Sequence, residues 1–113
     1  MKIITSHQHG NLKLNIGDDI FLAPQAVHEG NITIYNGGSL AIDGLCKGVI
    51  VIEEGGSLRV GGTVEGYIFN LGGTMIIEEN AQIVGKAVHF AGITFGEAYA
   101  CRFPEDNEQD TPF

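Results

Sequence analysis

Gly30-Asn31-Ile32-Thr33-Ile34-Tyr35-Asn36-Gly37-Gly38-Ser39-Leu40-Ala41-Ile42 lies without a gap on Gly48-Val49-Ile50-Val51-Ile52-Glu53-Glu54-Gly55-Gly56-Ser57-Leu58-Arg59-Val60. Each stretch runs as a glycine, an alternating segment, a Gly-Gly-Ser corner and a second alternating segment. Alternation with a period of two marks strands, whose successive side chains point to opposite faces. Gly-Gly-Ser is turn chemistry: glycine takes positive φ with no Cβ in the way, and the hydroxyl can bond nearby backbone. Outward from this pair, the opening glycine recurs as Gly10, Gly30, Gly48, Gly66 and Gly85, at intervals of 20, 18, 18 and 19 residues. A repeat this short cannot bury its own apolar face and must stack on its neighbours. The expected fold is all-β, a short single-domain β-solenoid (β-helix) of about five coils of 17–20 residues. A coil of about 18 residues divides into three sides, so the expected cross-section is triangular.

Stacking in register generates columns of like residues. Leu12, Ile32, Ile50 and Ile68 form one inward column, and Leu14, Ile34 and Ile52 form a second that ends at Asn70. Leu40, Leu58 and Met75 make a third, Ile42, Val60 and Ile77 a fourth, and Cys46 and Val64 are equivalent on the last side. Such columns are the core of a solenoid, with each strand bonded to the coils above and below. The repeat weakens at its ends. An insertion of two residues accompanies Pro24, the fourth Gly-Gly corner (Gly72-Gly73) is one residue short, and the phrase Gly85-Lys86-Ala87-Val88-His89-Phe90 reads as alternation slipped by one. Terminal repeats act as caps. The expected organisation is a β-helical domain over 1–96 with an irregular N-terminal cap, followed by a C-terminal cap and acidic mobile tail over 97–113. The slipped fifth coil and the tail would close one end of the stack; Lys2, His7, His9 and Pro24 would blunt the other.

Composition narrows the function classes. Fourteen acidic residues against six basic ones leave a net charge of −8. That argues against nucleic acid and anionic lipid, both of which need a positive surface to displace counterions. There is no apolar run long enough to span a membrane and no signal-peptide pattern, so a cytoplasmic protein without an integral membrane segment is expected. Cys46 and Cys101 have no metal-ligand spacing and fall in distant coils, beyond disulfide reach; both read as reduced thiols.

Phrases such as Gly48-Val49-Ile50-Val51-Ile52-Glu53-Glu54-Gly55-Gly56-Ser57-Leu58 and Val60-Gly61-Gly62-Thr63-Val64-Glu65-Gly66 resemble the bactofilins, polymer-forming bacterial cytoskeletal proteins. The likeness covers residues 30 to about 88. It implies a β-helical core, head-to-head or tail-to-tail polymerisation without nucleotide, and a scaffolding role. The chain departs from that family in its irregular first coil and its lack of long proline-rich flanks.

Candidate chemistry is sparse. His7-Gln8-His9 puts two imidazoles on one side of an extended segment, where they could chelate a transition metal with His28 as a third ligand. Exposed termini carry such pairs without function, so no metal site and no cofactor are expected. Asp18-Asp19, Glu53-Glu54 and Glu78-Glu79 are paired carboxylates, the residue type of glycosidase acid and base, but they occupy different offsets in their coils and read as solvated corners. No nucleophile elbow or phosphate loop is present, and no catalytic residue is assigned. The outward positions of the middle coils stand out instead. Val49, Val51, Tyr67 and Phe69 replace the polar Asn11, Lys13, Asn31 and Thr33 of earlier coils. An apolar strip on an acidic chain is a candidate interface. Either the N-terminal segment or the aromatic stretch Phe90, Phe95, Tyr99 and Phe103 folds over it, or a partner does. The expected function is a non-enzymatic structural scaffold that self-associates through β-helix edges or this apolar face. The alternative is a small acidic binding protein, of immunity or inhibitor type, that neutralises a basic protein partner.

Overall fold

A computed structural model describes residues 1–96, with side chains described as far as Val88. The C-terminal cap and tail expected over 97–113, Cys101, and the side chains of Phe90, Phe95, Tyr99 and Phe103 lie outside the described residues. All eleven strands belong to one continuous parallel arrangement that winds as a three-sided β-solenoid. The first coil is β1 (Lys2–Ile4), β2 (His7–His9) and β3 (Leu12–Leu14), one strand on each side. The second is β4 (Asp19–Leu22), β5 (Val27–Glu29) and β6 (Ile32–Ile34). From the third coil onward the second and third sides merge into continuous strands. β7 (Ser39–Ile42) is followed by β8 (Leu45–Ile52), β9 (Ser57–Val60) by β10 (Thr63–Ile77), and β10 by β11 (Gln82–Gly96). Side one stacks β1, β4, β7, β9 and the C-terminal parts of β10 and β11. This makes about five complete coils and the first strand of another.

The columns read from the sequence coincide with the ladder registers. Leu12, Ile32, Ile50 and Ile68 are paired in succession, as are Leu14, Ile34, Ile52 and Asn70. Leu40, Leu58 and Met75 follow Ile20, and Ile42, Val60 and Ile77 follow Ile4 and Leu22. Ile34, Ile42, Ile50, Ile52, Val60, Val64, Ile68 and Ile77 are wholly excluded from solvent. Each buried aliphatic of this size stabilises by roughly 1.5–3 kcal/mol relative to exposure. A one-residue slip would turn a whole strand inside out, so the alternation holds the register.

The opening glycines form a column at the corner between sides two and three. Gly30, Gly48, Gly66 and Gly85 have φ of 141°, 138°, 143° and 143°, and a Cβ on any of them would meet the carbonyl oxygen of the glycine one coil earlier at 1.9–2.3 Å. Neighbouring backbones touch here, so only glycine fits. Beside them an asparagine ladder starts: Asn31 N–H donates to Asn11 Oδ1 and Val49 N–H to Asn31 Oδ1, where it ends.

Irregular spacing is absorbed at corners. Between sides one and two, coils three and four need only Asp43-Gly44 and Gly61-Gly62, whereas coil two uses Ala23–Ala26 around Pro24 and coil five uses Glu78–Ala81. Between sides three and one, the turns at Asn15, Tyr35 and Glu53 each close with a hydrogen bond from the N–H three residues on. The next corner lacks one residue. There the buried Asn70 accepts hydrogen bonds from Gly72 and Gly73 N–H through Oδ1, at 3.2 and 2.9 Å. Asn70 therefore replaces the missing turn residue, which explains an amide in an isoleucine column.

Two expectations about the ends are corrected. The fifth coil does not slip at Gly85: Gly66 pairs Gly85, Ile68 pairs Ala87 and Asn70 pairs His89. The slip read from hydropathy is a loss of size, with alanine in the column position. The register shifts later, between Asn70 and Thr74 on β10. At the other end, Lys2 borders the first coil's opening, but His7 and His9 project sideways from the wall and Pro24 belongs to the second coil. Of the four, only Pro24 is displaced from that end.

Candidate functional site

Side three presents Val49, Val51, Tyr67 and Phe69 outward, since their neighbours Ile50, Ile52, Ile68 and Asn70 are buried. Tyr67 pairs Val49 and Phe69 pairs Val51, so the four form one block two residues wide and two coils high. The Tyr67 and Phe69 rings are 6.1 Å apart at 21°, an offset stack. Tyr67 is 49% exposed; the other three are half-buried. Val88 extends the strip and Thr33 and Lys86 border it.

The first coil carries a second feature, one that hydropathy of the middle coils did not reveal. β1, β2 and β3 each pair on one side only among the described residues, so their other edges offer unpaired N–H and C=O groups. Met1, Ile3 and Ile16 are among the most exposed large apolar side chains, and all lie in this coil or its corner. A shallow cavity of about 350 Å³ opens at the same end, lined by Met1, Lys2, Leu12, Leu14, Asp18 and Ile20. Signal for it existed in Ile3 and Ile16, apolar residues at outward or corner positions.

Side two gathers the histidines differently from expectation. His28 is not a third ligand beside His7 and His9. Strand alternation turns it inward, where it is 1% exposed and stacked between Gln8 and Cys46. Glu29 takes the outward place, opposite His9 in the ladder, with His7 Nε2 at 3.2 Å and His9 Nδ1 at 3.5 Å from its carboxylate.

Among the described residues neither His28 ring nitrogen has a hydrogen-bond partner. Desolvation is the main cause that lowers its pKa below the ordinary histidine value. The Gly10 backbone opposes this without reaching good hydrogen-bonding geometry, and His9 adds repulsion. Cys46 is a free, buried thiol, which burial pushes up to about 12, too basic for a nucleophile at neutral pH. The paired carboxylates sit at corners, except Asp19, which opens β4. Asp18 accepts from Asn15 N–H, Asp19 accepts from Ser39 Oγ–H, and Glu78 pairs with Arg59 of β9. They do not converge on one cleft.

Among the described residues no helix is long and apolar enough to cross a membrane. Comparison with family models, curated proteins and solved structures found no match.

Proposed function

We infer that this chain is a non-enzymatic, bactofilin-like scaffold element that associates with copies of itself, end to end, through its first coil. The observation that carries this reading is the first coil: three strands each paired on one side only among the described residues, and Met1, Ile3 and Ile16 exposed beside them. An unpaired edge is a template for another strand, and its polar backbone groups gain most from a partner of matching spacing. A second copy related by a two-fold axis across the solenoid axis presents the same three edges in antiparallel sense, which is an isologous, self-complementary contact. The apolar strip of Val49, Val51, Tyr67 and Phe69 then offers a lateral contact.

Size-exclusion chromatography with light scattering, followed by negative-stain microscopy, tests the reading. Dimers are expected from the end contact, and larger assemblies where the lateral strip also engages. A monomer at every accessible concentration would overturn it and favour the acidic binding-protein alternative, whose partner is a basic protein.

A further inference from the structure

Beyond association, the wall of side two carries a distinct arrangement. His7 and His9 flank the inward Gln8 on β2, so both imidazoles leave the same face, and parallel pairing sets Glu29 of β5 opposite His9. The two rings stack at 4.5 Å and 26°, and one donor atom from each of His7, His9 and Glu29 lies within 4.8 Å of the others. We propose that these three side chains form a binding site for a single divalent d-block cation, with zinc as the reference ion.

The donor spacing is close to that of a tetrahedral site. For metal–nitrogen bonds of about 2.0–2.1 Å, two ligands of a tetrahedron lie about 3.3 Å apart. His7 Nε2 is 3.2 Å from Glu29 Oε2 and His9 Nδ1 is 3.5 Å from Glu29 Oε1, one carboxylate oxygen each. The backbones of all three are fixed by the pairing of β2 with β5, so any adjustment around an ion falls to the side-chain torsions. Two imidazoles and one carboxylate suit zinc, nickel or copper; calcium and magnesium call for mostly oxygen donors. Three protein ligands leave at least one position for water or for a donor from another molecule. The carboxylate supplies one negative charge locally, in a chain of net charge −8, which favours a cation. Lys47, next to Glu29 in the ladder, forms no ion pair with it among the described residues. This site is independent of the self-association reading.

The test is calorimetric titration of the whole chain with zinc chloride at about pH 7.5. Saturable binding of one ion per chain is expected. His7→Ala and His9→Ala should each weaken it at least tenfold, Glu29→Gln severalfold, and the double histidine variant should abolish it, with calcium inert throughout. These side chains face solvent, so circular dichroism of the variants should match that of the parent. Nitrogen chemical shifts of the imidazoles in the unaltered chain supply a readout without substitution: His7 and His9 should move with zinc, and His28 should move less. Equal zinc affinity in the parent and the double variant would overturn the proposal, as would zinc-induced shifts confined to other histidines.

Discussion

The glycine column turns on the contrast between Gly66 and Gly10. A Cβ on Gly66 would lie 2.0 Å from the Gly48 carbonyl oxygen, while one on Gly10 would meet nothing within 4 Å. Both have positive φ, 143° and 112°. Gly10→Ala should therefore cost only backbone strain, on the order of 1–2 kcal/mol. Gly66→Ala must also separate two coils, and should cost about 3 kcal/mol or more. Urea denaturation of the two variants measures the difference; equal losses would mean that the coils do not touch at this corner.

His28 is the second informative residue. Its buried, unpartnered nitrogens lower stability, so His28→Leu should raise the melting temperature, a gain of about 1–3 kcal/mol. The sign with pH follows from the lowered folded-state pKa. As pH falls below the ordinary value of about 6.5, the unfolded chain takes up a proton that the folded chain refuses. The parent loses stability in that window and the leucine variant does not share the loss. The advantage of His28→Leu should therefore be larger at about pH 5 than at pH 7.5, measured by thermal melts with a chelator present. A constant advantage would place the imidazole in contact with water.

At the scale of the element, the shortened corner after β10's third-side segment depends on one amide. Leu14, Ile34 and Ile52 occupy the same column, so hydropathy alone favours an aliphatic at position 70. Asn70→Leu nonetheless strands the Gly72 and Gly73 N–H groups, and should destabilise by about 2–4 kcal/mol. Inserting one glycine after Leu71, which restores the length of the Glu53–Gly56 corner, should recover part of that loss. Chemical denaturation of the single variant and the combined one decides it: no recovery would mean that Asn70 serves something other than the turn. The core strands behave conventionally. Ile50→Asp buries an unpaired carboxylate between stacked coils and should lower stability by several kcal/mol, visible as a large fall in melting temperature.

For the whole molecule, the two candidate contacts have separate signatures. If copies meet through the first coil, Ile3→Lys with Ile16→Lys should reduce the molar mass by light scattering, because charge on an edge blocks strand pairing. Tyr67→Ser with Phe69→Ser should remove lateral association and leave the end contact, so pairs would persist while bundles vanish. If the second variant alone yields monomers, the lateral strip is the primary contact and the end is closed in solution.

The sequence by itself determined the coil. Five spaced glycines, period-two alternation and Gly-Gly corners can be satisfied together only where each glycine lies against the one before it and each aliphatic stacks on its equivalent. Local pattern and long-range packing are the same information in a solenoid, because every residue's neighbour is its own counterpart one repeat away. The outward strip of Val49, Val51, Tyr67 and Phe69 was legible for the same reason. Tertiary structure alone decided what depends on differences between coils. Which residue faces His9 is a matter of ladder register across a corner lengthened by two residues, so Glu29 stands where His28 was expected. Why Asn70 is buried depends on a residue missing from the next turn, and the open edges of β1, β2 and β3 exist only because no coil among the described residues lies beneath them.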